Sequence, residues 1–71
     1  MSHWHYQLMR HTGPYGDYYA VHEYYELDTG PAWTENPVTV DGESKSDVIW
    51  MLEQMLIDID KHGVKDYDAE P

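Results

Sequence analysis

The chain has no cysteine and no phenylalanine, and only four of its 71 residues are lysine or arginine. Without cysteine there is no disulfide and no thiolate zinc site, which fits a cytosolic chain. Fourteen acids against four bases leave a formal charge of −10. So few bases cannot make the basic footprint of a nucleic-acid binder, and an anionic membrane would repel the chain. No apolar run approaches the ~20 residues of a membrane span. The opening MSHWHYQLMR lacks the apolar core of a signal peptide, so a cytoplasmic chain is expected. The sequence also lacks a glycine-rich phosphate loop, an HExxH helix and a nucleophile elbow. Neither an enzyme nor a bound cofactor is expected.

The aromatic bulk comes from seven tyrosines and three tryptophans. Such rings carry a polar handle and sit at the border of a core or in an interface. At this length the chain makes one domain with a thin core, over 1–63, followed by a loose acidic tail over 64–71.

Alternation places Trp4, Tyr6 and Leu8 on one side of a first strand over His3 to His11. Thr12 to Asp17, with two glycines and a proline, is a turn. Tyr18 to Leu27 is a second strand. Its more apolar side carries Tyr19, Val21, Tyr25 and Leu27 and is expected to face the core, with Glu23 as the awkward member. Asp28-Thr29-Gly30 closes a hairpin. Ala32 to Val40 is a third extended stretch, placed at an edge or broken at Pro37.

Ser44 to His62 reads as a helix. Ser44 or Ser46 can cap it, Ser44 and Asp47 have the spacing of a helix start, and Lys61 and His62 suit its end. Val48, Met51, Leu52, Met55, Leu56 and Ile59 form one apolar stripe, and Gly63 suits the stop. The predicted fold is α+β: a three-stranded antiparallel meander with one C-terminal helix packed on one face, βββα.

Candidate sites follow from charge. Glu23, Glu26, Asp28, Glu35, Asp41 and Glu43 belong to the strands and turns. Asp47, Glu53, Asp58 and Asp60 belong to the helix, and Asp66, Asp68 and Glu70 to the tail. Carboxylates spread along a helix can occupy part of a groove built for phosphates; the plain alternative is solubility. Trp50 and Ile57 lie off the main stripe, seven residues apart, and offer a contact patch. His3, His5 and His22, near Glu23 or Glu26, could in principle hold zinc. Nothing fixes a third ligand, so they are read as solvated strand histidines and no metal is assigned.

The pieces VHEYY (21–25) and AWTENP (32–37), with WHY at 4–6, resemble a group of short, uncharacterised bacterial and phage-borne proteins of the same element order. The resemblance runs to about residue 60 and defines no chemistry. Size, charge and order also resemble small phage anti-CRISPR proteins that imitate DNA, which implies blockade of the DNA-binding groove of a CRISPR surveillance complex. The expected function is a non-enzymatic acidic protein, monomer or weak dimer, that binds a basic surface on such a complex. Its expected contacts are Glu23, Tyr24, Glu26, Asp28, Glu35, Trp50, Glu53, Asp58 and Asp60. The competing expectation is a small soluble structural or interaction module.

Overall fold

The computed structural model describes residues 3–69; Glu70, the last acid of the predicted tail, lies outside them. The elements are β1 (His3–Gly13), β2 (Gly16–Leu27), β3 (Gly30–Trp33), α1 (Lys45–His62) and β4 (Val64–Asp66). They form one four-stranded sheet in the order β3-β2-β1-β4 plus one helix. The α+β class follows the prediction, but a fourth strand is present.

β1 and β2 pair antiparallel over their whole length, from His3↔Glu26 to Gly13↔Gly16. Only Pro14 and Tyr15 separate them, a tighter hairpin than the six-residue turn expected. β3 pairs antiparallel with β2 and holds Pro31 at the sheet's edge, where a missing amide donor is tolerated. The regular strand ends at Trp33, short of the predicted Val40. Beyond it Thr34 and Val38 still donate backbone hydrogen bonds to Glu23 and Val21.

Ser44 caps α1 by accepting from the Asp47 amide at 3.2 Å. Gly63 ends it with φ 67° and ψ −150°, and its amide bonds Ile59 O. That conformation is nearly confined to glycine. It redirects the chain so that Val64 to Asp66 run parallel to Leu8 to Arg10. The tail expected to be loose over 64–71 is therefore bound to the sheet through its described part. Arg10 Nε and Nη2 both reach Asp66 Oδ1, at 2.8 and 2.7 Å. Tyr67 donates its amide to Arg10 O and its hydroxyl to Glu35 O.

The helix rests on β1 and barely touches the other strands. It straddles the open edge of β1 rather than lying across one face, as was predicted. Asp58 Oδ2 accepts the Tyr6 backbone amide at 2.9 Å, so a helix carboxylate stands where a neighbouring strand's carbonyl would stand. Near its end the helix reaches round to the opposite side, where His62 stacks on His5 with centroids 3.6 Å apart. The whole is a slab of 38 × 36 × 20 Å.

This placement decides what is buried. The register does place Tyr6, Leu8, Val21, Glu23 and Tyr25 on one face, as expected. Yet the more deeply buried face is the other one, carrying His5, Gln7, Met9, His11, His22 and Tyr24. The face expected inward is only partly covered, and Tyr19 and Leu27 at its ends are exposed. The awkward inward Glu23 is thereby resolved: it is half-buried, on a half-open face, within hydrogen-bonding reach of Tyr25. On the helix Met55 is buried, whereas Leu52 and Leu56 of the predicted stripe are exposed, because no sheet lies opposite them.

Among the described residues, no helix is long and apolar enough to cross a membrane.

Candidate functional site

Two regions carry the candidate residues. The first is the deeply buried face of the sheet. Gln7 sits at its centre, fully buried, accepting from His5 Nε2 and donating to Leu8 O and Gly63 O. His11 and His22 join Nε2 to Nε2 at 2.8 Å, and His22 Nδ1 lies 2.9 Å from Thr34 O. Tyr18 and Tyr67 stack on His11 from neighbouring segments. Burial, and secondarily His11, lowers the pKa of His22; the hydrogen bond to Thr34 works the other way. Burial, with His5 and Lys61 nearby, lowers that of His62. Every buried side-chain nitrogen and oxygen among the described residues has a partner. This is a polar core, closed and satisfied.

The histidines singled out for metal are thus dispersed. His22 faces Gln7 across the strands and bonds to His11, while His5 faces Tyr24 and stacks on His62. His3 is exposed. Among the described residues no group of three or more His, Asp or Glu side chains is arranged to hold a metal ion. Gln7, His11, His62 and Tyr67 escaped the sequence reading. For Gln7 and His11 the signal was parity: His5, Gln7, Met9 and His11 alternate on one side of β1 and look like a wet face.

The second region lies where α1 crosses the edge of β1. A cleft of about 490 Å³ is walled by Trp4, Tyr6, Glu26, Trp50, Asp58 and the end of the helix. A shallower hollow, also touching Tyr6 and Trp50, continues it toward Asp41, Asp47 and Met51. Trp4 meets Tyr6 edge-on, with centroids 5.2 Å apart. Trp4 is 52% exposed and Trp50 61%. Burial, with the nearby Glu23 and Asp58 carboxylates, raises the pKa of the Tyr6 phenol.

The cleft brings together Glu26, Trp50 and Asp58 from the predicted contact set. The other members stand apart. Glu53 and Asp60 are exposed on the outer side of the helix, seven residues and thus two turns from each other. Glu35 is exposed in the loop after β3, and Asp28 at the β2–β3 turn. Glu23 is half-buried on the other sheet face from Glu26. Tyr24, expected to add contact area, is buried. It stacks on Trp33 at 5.8 Å, with Lys65 Nζ 5.4 Å from its ring centre. The carboxylates are therefore spread over several elements rather than gathered on one face.

Beyond the cleft, α1 shows Ile49, Leu52, Leu56 and Ile57 to solvent, Leu56 at 70%. Among the described residues only four hydrophobic ones are buried: Tyr6, Met9, Tyr24 and Met55. A monomer of 8.4 kDa is expected to expose about 4,600 Å², whereas this chain exposes 5350 Å². No protein-family model, curated protein or solved structure matches the chain.

Proposed function

We propose that this is a non-enzymatic acidic binding protein whose exposed helix and the adjoining cleft dock on a basic protein surface. The supporting observation is the pairing of strong negative charge with apolar side chains left uncovered along one helix. Charge at −10 attracts a basic partner and speeds encounter. Ile49, Trp50, Leu52, Leu56 and Ile57 supply the area that a bound partner would desolvate.

The partner class we propose is a nucleic-acid-binding groove, and specifically that of a CRISPR surveillance complex, with the protein acting as a phage-type inhibitor. Because the carboxylates are dispersed, the mimicry would rest on the helix row of Glu53 and Asp60, with Glu26 and Asp58 on the separate cleft side, not on a copy of a whole phosphate backbone. The test is competition: purified protein is titrated into a surveillance complex holding labelled DNA at low ionic strength. Displacement that weakens as salt rises is expected. Failure to displace DNA from any type of complex at low salt removes the inhibitor reading.

A further inference from the structure

Resting on that reading of the chain as an acidic binder, we infer that the cleft between Trp4 and Trp50 is a receptor for an arginine side chain presented by the protein partner. Three observations meet there. Two half-exposed indoles from different elements, β1 and α1, line one cavity together with Tyr6, whose ring makes a T-shaped contact with Trp4. Asp58 reaches the same cavity with a carboxylate whose position is held by the Tyr6 amide. Glu26, on the paired strand β2 and on the sheet face opposite Trp4 and Tyr6, adds a second carboxylate where the cavity wraps the strand edge beside His3, His5 and His62.

A planar guanidinium suits this combination of surfaces. It stacks on indole faces and at the same time forks onto a carboxylate, which an ammonium does less well. Lys61 also lines the cavity, so two carboxylates face one ammonium and the site keeps a formal charge of −1. Beyond Trp50, Asp41 and Asp47 in the adjoining hollow extend the negative surface for the residues flanking that arginine. The occupant is thus an arginine within a basic segment. A second copy of this chain is a poor occupant, since each copy carries −10 and only one arginine, Arg10, which is already paired with Asp66.

The experiment titrates the full chain with oligoarginine, oligolysine and oligocitrulline of equal length, followed by tryptophan fluorescence and by amide and indole NMR shifts. Oligoarginine is expected to bind at least about tenfold more tightly than oligolysine, with shifts centred on Trp4, Tyr6, Trp50 and Asp58. Oligocitrulline, which keeps the shape without the charge, is expected not to bind. Trp50→Ala and Glu26→Gln, both at exposed positions, are expected to cost about tenfold each while the melting temperature holds. Unchanged affinity in both variants, with shifts on Glu53 and Asp60 instead, overturns the cleft receptor and leaves the acidic binder standing. Oligolysine binding as tightly as oligoarginine overturns the guanidinium assignment alone. No binding to either cationic peptide at low salt overturns both readings. Protein-dependent self-association that buries Trp50 overturns the inference by naming a second copy as the occupant.

Discussion

His11 and His22 meet Nε2 to Nε2 at 2.8 Å, and one hydrogen must lie between them. The Thr34 carbonyl can only accept, so His22 carries its hydrogen on Nδ1. Neutral His22 then presents a lone pair at Nε2, and His11 supplies the shared N–H. A second proton on His22 would require His11 to carry its hydrogen on Nδ1 and accept at Nε2, and would place a positive charge inside a buried site. The groups around the pair, Thr34 and the rings of Tyr18 and Tyr67, are uncharged and cannot compensate.

Stability should therefore fall on mild acidification. His22 and His62 both have folded values lowered mainly by burial, against an ordinary value of about 6.5. Below that value the unfolded chain binds more protons than the folded one, so stability is full above about pH 6.5 and is lost as pH falls. A loss of about 1 kcal/mol, or about 4–8 °C in melting temperature, is expected between pH 7.5 and 5.5. His22→Gln should flatten the profile, whereas His3→Gln, at an exposed position, should leave it unchanged. A melting temperature independent of pH over this range would contradict the assignment.

Asp58 and Tyr6 offer a test of charge against hydrogen bonding. The carboxylate accepts the backbone amide of β1 where no strand does. Asp58→Asn keeps an acceptor oxygen and should cost well under 1 kcal/mol. Asp58→Ala leaves the Tyr6 amide without its partner and should cost about 1–3 kcal/mol. Chemical denaturation of both variants gives the comparison, and equal losses would mean that the charge, not the acceptor, holds the helix to the strand.

The same pair shows how far the sequence could be read. The helix from Ser44 and the strands around Tyr6 and Val21 were legible because each has its own period. Even the pairing of faces, Tyr6 with Glu23 and Leu8 with Val21, was implied by alternation. Which face would be covered was not legible, because that depends on where the helix lands. Asp58 draws it to the edge of β1, a contact between residues 52 positions apart. β4 was illegible for a different reason: three residues, Val-Lys-Asp, are too short to show alternation. Its pairing is imposed by the turn at Gly63. Glu26, Trp50 and Asp58 were named as contacts for charge and for lying off the apolar stripe, but Trp4 was read only as part of the apolar side of β1, and the helix beside it makes it a cleft wall.

That turn can be tested directly. A Cβ at Gly63 would meet no atom within 4 Å, so Gly63→Ala probes backbone conformation alone. With φ at 67° and ψ at −150° the cost should be about 1–3 kcal/mol. Local loss should exceed global loss, because β4 hangs from this residue. Hydrogen exchange should report the Tyr67 amide, bonded to Arg10 O, opening before the β1–β2 amides do. Uniform protection across the sheet in the variant would show that β4 is held by its side chains instead.

Met55 and Leu56 are neighbours in sequence with opposite roles. Met55 is buried against β1, and truncation to alanine should cost about 2–3 kcal/mol, a large share of the stability of so small a domain. Leu56 is 70% exposed, so Leu56→Ser should change stability by no more than about 0.5 kcal/mol. A leucine retained for packing cannot behave in that way, since its removal would leave a cavity. The readout that separates the two residues is binding to a basic partner. In a competition assay against labelled DNA on the partner, Leu56→Ser should weaken displacement several-fold while its denaturation midpoint stays with the parent chain. If Leu56→Ser unfolds as readily as Met55→Ala, the helix buries both flanks in solution and its outer face is not a docking surface. If both midpoint and displacement are unchanged, the contact lies elsewhere on the chain, and the Trp50 side of the same helix is the next place to substitute.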